Sequence, residues 1–491
     1  MIVIAQEYME KNISQIHDKE YIKVTNIIEN SVLQKKYERA MAALAICAEI
    51  EFQWNQYYCN EKLEKYLLEI SSHIFTIKSK ETYEKEDTIV FYDGFGLDTR
   101  GLALIYIKAL VESEKKIVYI TLDTAKGKQP VLKQLFNGKN IIWEYIPTNF
   151  TYVKSARTLY EVINNYKPKA AFLYTTPYDV IGLSVFNYLK NRTTRYQINL
   201  TDHAFWLGKN AFDYCIEFRT YGANISSYYR KIDKNKIILL PYYPYVDKKI
   251  KYEGLPFECE GKKILFSGGS LYKTISKDNI YYKIIDEILN GTKEVIFLFA
   301  GTGDATYLDR LIDKYPNRVY HIQERTDLFQ LMQHITIYLN TYPMIGGLMT
   351  QYAAVAGKLP LMLKHGNDGD GILIEQEKCE IEYDEWKSIV DDIICLLKND
   401  EYLKEREEKI KDSVISEDEF HHQLMEIIEK HKTKYKINYE VIDTDDFRKE
   451  YIGRFSREKM SRIIFKKKNW CLWSEYKCCF FKELVKRIRK I

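Results

Sequence analysis

The chain reads as two α/β domains in series, each a doubly wound parallel sheet, behind a helical N-terminal region. Three observations predict this. From residue 88 onward, short β-branched and aromatic runs alternate with helix-length segments such as TRGLALIYIKALVESE. The alternation pauses at a polar, Gly-containing connection, 246–261, and then restarts. Before it, ERAMAALAICAEIEFQWNQYY carries apolar residues at helical spacing and no Gly or Pro. Strand, helix, strand repeated in this way requires crossover connections, and these cover a parallel sheet on both faces.

In order, residues 1–75 read as helices. The first strand series is TIVFYDG (88–94), KIVYITLD (116–123), IIWEYIP (141–147), KAAFLYTTP (169–177), TRYQINLTD (194–202), DYCIEFR (213–219) and KIILLPYYP (236–244). The second is KKILFSGG (262–269), EVIFLFAGTG (294–303), RVYHIQE (318–324), ITIYLNTYP (335–343) and KLPLMLKHG (358–366). Residues 384–432 read as charged helices, and 433–491 as a basic, aromatic-rich extension. The expected units are therefore 1–85, 86–250, 251–432 and 433–491. No residue-level repeat links the two α/β units.

Composition excludes several classes. With 73 Lys+Arg against 69 Asp+Glu, the net charge is only +4, which excludes a dedicated nucleic-acid binder. The balance is uneven: residues 451–491 hold 13 Lys+Arg and 3 Asp+Glu, a local +10. No stretch of 18 apolar residues exists to span a membrane, and the start, MIVIAQEYMEKN, lacks a signal peptide's basic and apolar regions. The nine Cys are scattered without a CxxC pair, which reads as reduced thiols in the cytoplasm. Cys471 with Cys478 and Cys479 lacks a further ligand at metal-binding spacing and reads as ordinary Cys on an amphipathic tail.

Ligands of doubly wound sheets bind outside the carboxyl ends of the strands, so the chemistry is sought in the loops there. In the second domain, Gly346 and Gly347 open a helix whose first N–H groups, around Leu348, Met349 and Thr350, suit a diphosphate. The loop LFSGGSLYKT brings Gly269, Ser270 and Lys273 to the same crevice, where a cation can stabilise a diphosphate without metal. Gly301 in AGTG, with His321, Gln323 and Arg325 around HIQE, is placed to hold a base. In the first domain, FYDGFGLDTRGLA supplies Gly94 and Gly96 for a turn facing the acceptor, with Thr99 or Asp98 capping a helix from about Arg100. His203, in TDHAFW, is the first candidate for a general base, with Asp98 and Asp202 as rivals. Asp368-Gly369-Asp370 reads as a turn rather than a metal site, and no metal or other cofactor is expected.

The succession LFSGGSLYKT, EVIFLFAGTG, VYHIQE and a Gly-Gly helix ending in AGKLPL resembles the GT-B glycosyltransferases over roughly residues 86–430. Its details are similar to the O-GlcNAc-transferase-like and bacterial adhesin-glycosylating enzymes. The resemblance implies two Rossmann-like domains facing a cleft. It gives Lys273 the donor diphosphate and matches NLTDHAFWLGKNAFDYCIEF, with its Asp213-Tyr214 pair, to a family segment. Where the family carries an acidic ribose-binding residue, five positions before the closing Gly, this chain has Tyr352, with Gln351 beside it.

The expectation is a cytoplasmic, metal-independent glycosyltransferase that moves a sugar from a nucleotide-diphosphate sugar to a polysaccharide, lipid-linked or protein acceptor. The rival is a catalytically silent GT-B protein serving as chaperone or partner subunit, for which Tyr352 speaks. A third reading, a sugar-nucleotide epimerase, needs more acid/base groups than the cleft loops offer. The tail's basic residues, interleaved with Trp470, Trp473, Phe480 and Phe481, suit insertion into an anionic membrane surface, ahead of docking on the protein's own acidic remainder or on a partner, with the cleft lying elsewhere.

Overall fold

The computed structural model describes residues 2–75, 85–99, 101–276, 278–445, 448 and 457–488. Three helices, Ile2–Leu33, Tyr37–Trp54 and Glu61–Ile74, form the N-terminal region. The middle one is buried continuously from Ala40 to Ala48, as its run of small and aliphatic residues allows. It ends at Asn55 in the left-handed conformation, and the Asn60 side chain caps the next helix by accepting from Lys62 N and Leu63 N.

The first sheet has seven parallel strands: β1 (Glu86–Asp93), β2 (Lys116–Leu122), β3 (Ile141–Ile146), β4 (Pro168–Tyr174), β5 (Thr194–Ile198), β6 (Tyr214–Glu217) and β7 (Ile237–Leu239). Their order is β3-β2-β1-β4-β5-β6-β7. One row of side chains crosses six strands in register: Trp143, Tyr119, Phe91, Phe172, Tyr196 and Tyr214. Neighbouring rings of this row lie 4.9–6.3 Å apart. A parallel sheet places identical register positions on one face, so aromatic residues at equivalent strand positions become a continuous layer. The helices Ala103–Glu112 and Glu417–Lys430 cover that layer.

The second sheet has six parallel strands: β8 (Lys263–Gly268), β9 (Val295–Ala300), β10 (Val319–Ile322), β11 (Ile337–Leu339), β12 (Pro360–Leu363) and β13 (Glu382–Tyr383), in the order β10-β9-β8-β11-β12-β13. The last strand is two residues long, too short for a sequence pattern to show. Both expected sheets are present, and every expected strand but β1 is shorter than its apolar run, because the run continues into the loop beyond the carboxyl end.

Two segments sit where the sequence did not place them. The helix Glu417–Lys430, counted with the second domain, returns to the first. Phe420, Leu424 and Ile427 are buried with Ile105 and Tyr106, and the Phe420 ring meets Tyr106 edge-on at 5.1 Å. The tail, expected to lie apart from the cleft, folds as the helices Arg457–Ile464 and Lys477–Ile488 against the N-terminal helices. Phe480 is fully buried there with Ile463, Ile464, Leu472 and Tyr476, so it is no membrane anchor. The buried Asn469 accepts from Tyr152 Oη at 2.9 Å and donates to Ile463 O and Ile464 O. Arg39 pairs with Glu475, and Lys466 with Glu49.

The helical region also braces the loop after β5. Asn55 Nδ2 donates to His203 O at 3.1 Å, and Asn55 Oδ1 accepts from Phe205 N at 2.7 Å. Glu64 Oε1 accepts from Gly208 N at 2.7 Å and from Lys209 N at 3.3 Å. Burial pushes the Glu64 carboxyl up to about 7, against the two amides and the Lys209 charge that favour its ionised form.

Two outcomes follow from this packing. Phe480→Ala removes a fully buried ring from the core shared by the tail and the N-terminal helices, and should cost about 3–5 kcal/mol in denaturant unfolding; an unchanged midpoint would mean the tail is not part of that core. Glu64 holds its proton more tightly folded than unfolded, so its contribution is complete below pH 4.5 and is lost as pH rises through about 7. Glu64→Gln keeps an acceptor for Gly208 N and removes the titration. The variant should therefore gain on the wild type by up to about 3 kcal/mol between pH 4.5 and pH 8, read from urea midpoints across pH.

Candidate functional site

A cavity of about 740 Å³ lies where the carboxyl ends of the two sheets face each other. On the side of the second sheet it sits at the point where the strand order reverses, between β8 and β11. After β8 the chain turns through Gly269, at φ +133°, into a short helical turn, Leu271–Thr274, which carries Tyr272 and Lys273 into the cavity wall. Met344 N donates to Lys273 O, and Lys273 Nζ lies 3.5 Å from Ile345 O, so the loops after β8 and β11 are joined.

Asn340, just past β11, organises the helix start that follows. Its Oδ1 accepts from Gly346 N at 2.8 Å and Thr341 N at 2.9 Å, and its Nδ2 donates to Thr350 Oγ1 at 2.8 Å. Thr350 Oγ1 donates in turn to Gly346 O. Thr350 is fully buried and its N donates to Gly346 O at 3.0 Å, so the amide that the sequence offered to a diphosphate is used within the turn. The helix Gly347–Val355 has no side-chain cap. Gly347 and Leu348 line the cavity, with the first amides of the helix, which have no intrahelical partner, at that end. A Cβ on Gly347 would meet only Ile372, at 3.6 Å, so packing does not demand glycine there. Met349 turns away and packs against Gly268.

The first sheet contributes Leu200, Asp202 and His203 after β5, Phe218 and Arg219 after β6, and Tyr242 after β7. Arg219 is buried and joins three groups. Its Nε lies 2.5 Å from Asp202 Oδ2 and its Nη2 lies 3.0 Å from Oδ1. Its Nη1 donates to Asp368 O, and its Nη2 lies 3.6 Å from Asp368 Oδ1, on the loop after β12. Burial opposes ionisation of Asp202, but the Arg219 guanidinium, aided by His203, holds the carboxyl far below the usual range. A carboxylate that acidic is a poor proton acceptor, which removes Asp202 as a general base. It is instead a partner for His203, whose Nδ1 lies 3.2 Å from Asp202 Oδ1. The buried Arg230 fixes this loop from beneath, donating to Asp202 O at 2.8 Å and Ala204 O at 2.6 Å. The His203 side chain remains 32% exposed.

Other expected site residues lie outside the cavity lining. Asp98 accepts from Val131 N and Leu132 N, capping the helix Pro130–Phe136 and not the one after it in sequence, which begins only at Ala103. Its carboxylate is thus committed to two amides and is not a base at the cleft. Thr99 is exposed and caps nothing, since the helix it precedes has no side-chain cap. Gly94 and Gly96 belong to a turn closed by the buried Asp93, which accepts from Phe95 N, Gly96 N and Tyr119 Oη; the turn packs on Thr175 and Ala125.

Of the nucleoside set, Gly301 allows backbone contact: a Cβ there would lie 1.8 Å from Gly269 O. His321 Nε2 donates to Gly301 O at 2.9 Å and so supports the Gly269 turn from behind. Arg325 is held by Asp327 and Gly254 O, Gln323 is exposed, and Tyr352 Oη donates to Tyr245 O at 2.7 Å. Asp213 pairs with Arg195 and Tyr214 stacks on His431, both as packing. Asp370 accepts from Asn367 Nδ2 in a turn while Asp368 faces Arg219, so the two carboxylates have separate partners.

Sequence reasoning missed Arg219, Tyr242, Phe52, Gln53 and Lys459, all of which line the cavity. Arg219 carried a usable signal, since it closes the run DYCIEFR at a strand's carboxyl end. Lys459 carried none. It belongs to the tail, so the expectation that the cleft lies apart from that segment is corrected.

No protein-family model matches the chain, and no curated protein matches it by sequence. Solved structures do match. A mutant of the Thermobaculum terrenum O-GlcNAc transferase superposes with a TM-score of 0.52 at 12% identity, covering 89% of this chain and 84% of that one. A Rickettsia africae glycosyltransferase gives 0.50 at 13% identity over 71% of this chain and 99% of its own. Anabaena HepE, solved with UDP and glucose, gives 0.50 at 13% identity over 70% and 100%. With two parallel sheets of seven and six strands facing one cavity across their carboxyl ends, the chain has the GT-B fold.

Proposed function

We propose that this chain is a glycosyltransferase that moves a sugar from a nucleoside-diphosphate sugar, of the uridine type, to a hydroxyl of a glycan, lipid-linked or protein acceptor. The observation that supports this most directly is the joint presence of Lys273, the uncapped start of the helix Gly347–Val355 and His203 in one cavity. The donor's diphosphate oxygens accept from the amides of Gly347 and Leu348, where the helix dipole favours negative charge. The Lys273 ammonium neutralises the charge that grows as the diphosphate leaves, in place of a metal. The UDP bound to HepE, which shares the fold, supports the choice of donor.

On the opposite wall, Asp202 fixes the His203 ring with its proton on Nδ1, which leaves Nε2 as the acceptor. His203 takes the proton of the acceptor hydroxyl as that oxygen bonds to the anomeric carbon. The carbon–phosphate-oxygen bond breaks and the nucleoside diphosphate departs with its electron pair, inverting the anomeric centre. Tyr352, the position that favoured a silent protein, is bound to Tyr245 O outside the cavity lining. It therefore lends that reading no support.

Three variants separate the roles. Lys273→Ala should weaken UDP binding in calorimetry by about 1.5–3 kcal/mol while unfolding stays near wild type; equal affinity would end the diphosphate role. Gly347→Val should abolish both UDP binding and turnover with native circular dichroism, since the added side chain fills the phosphate position and not the core. His203→Ala should leave UDP affinity intact and lower transfer by at least about a hundredfold. Transfer retained in that variant would show that the base lies elsewhere.

A further inference from the structure

The C-terminal unit has an outer face that the fold leaves uncovered. On the helix Lys477–Ile488, the inward side carries Phe480, fully buried in the core of the N-terminal helices. Lys477, Phe481 and Leu484, spaced i, i+4 and i+7, share the outward side and are all exposed. Phe481 is 64% exposed and Leu484 39%. The preceding turn adds Trp470 and Trp473, 52% and 38% exposed. The two indole rings lie 6.0 Å apart, and both rest on Phe480, at 6.0 and 5.3 Å. The two Trp rings therefore stand on the buried Phe480, and the helix that carries Phe480 also exposes Phe481 and Leu484.

The charge around this face points to its occupant. Residues 451–491 hold 13 Lys+Arg and 3 Asp+Glu. Lys467 and Lys477 are exposed, while the acidic Glu475 is engaged by Arg39 and Lys466 by Glu49. Tryptophan with flanking lysine is the composition that settles at a membrane interface, where the indole body is apolar and its N–H and the ammonium groups remain wet. We infer that this face docks the protein on an anionic lipid surface, with Trp470, Trp473, Phe481 and Leu484 entering the interface and the lysines meeting the headgroups. Both tail helices belong to one packed unit: Cys479 Sγ approaches Ser461 O, and Phe465 packs on Phe480 at 5.4 Å. The first of these helices carries Lys459 into the cavity wall. Docking would thus hold the cleft at the membrane by a rigid connection.

The inference stands apart from the proposed transferase activity, and its test uses no sugar nucleotide. The full chain and the triple variant Trp470→Ala, Trp473→Ala, Phe481→Ala are sedimented with vesicles of phosphatidylcholine alone and of phosphatidylcholine with phosphatidylglycerol. Trp470 and Trp473 also cover the buried Phe480 ring, so the single variant Phe481→Ala, whose ring is 64% exposed, is sedimented as well; it should unfold at the wild-type temperature and partition less than the wild type. The wild type should partition onto the phosphatidylglycerol vesicles and not onto pure phosphatidylcholine. The triple variant should partition at least tenfold less, and salt should weaken wild-type binding in steps as the headgroup attraction is screened. Equal partition of variant and wild type, or equal partition onto both vesicle types, would overturn the inference. A wild-type dimer in sedimentation velocity that the variant loses would also overturn it, by assigning the face to a second copy of the chain.

Discussion

The cleft depends on one buried guanidinium. Arg219 leaves the first sheet at the carboxyl end of β6, takes both oxygens of Asp202 on the neighbouring loop, and reaches across to Asp368 beyond β12 of the second sheet. It thereby ties two loops of one domain to a loop of the other. A buried pair of this kind adds little net stability beyond what apolar packing would give, but removing one member leaves an uncompensated charge and costs about 3–5 kcal/mol. Its value lies in geometry. With Asp202 held ionised and its oxygens directed, His203 has a fixed neighbour, and the same side chain joins the loops of the two walls. The backbones also meet beside it: a Cβ on Gly371, at φ +74°, would lie 2.8 Å from Thr220 N.

Around this clamp, each wall is braced from behind. Asn55 and Glu64 of the helical region hold the backbone from His203 to Lys209, and Arg230 holds it from below. On the other wall, Asn340 and Thr350 shape the turn before Gly347 with their own polar atoms, which leaves the helix amides for a ligand. Gln351 and Tyr352 reach from the same helix to Tyr242 O and Tyr245 O. The polar side chains nearest the cavity are therefore mostly structural, while Gly347, Leu348, Lys273, His203 and Lys459 line it.

Sequence showed the sheets because parallel strands buried on both faces leave uninterrupted β-branched and aromatic runs, and it showed the Gly-Gly turn because glycine marks it. It placed Lys273, Gly347, Leu348 and His203 at the cavity because each belongs to the connection that leaves the carboxyl end of a strand. It did not show the partners that consume a residue's chemistry. Asp98 looked like a base or a cap to the next helix, yet it caps one about 30 residues away in sequence. The Thr350 amide looked free for a phosphate, and Gly346 O takes it. Local spacing is silent on contacts between distant segments, and for that reason Lys459 went unnoticed and the tail appeared detached. Its amphipathic pattern was legible, but a pattern does not say which apolar face meets protein: Phe480 turns inward, and Phe481, next to it, turns outward.

The account rests on where a nucleoside diphosphate sits. A crystal structure of the full chain soaked with UDP tests this directly. The phosphates should lie against the amides of Gly347 and Leu348 within hydrogen-bonding distance of Lys273 Nζ, with His203 across the cavity on the acceptor side. Phosphates bound at any other loop, with Lys273 and the Gly347 helix start unchanged and solvent-filled, would contradict the account.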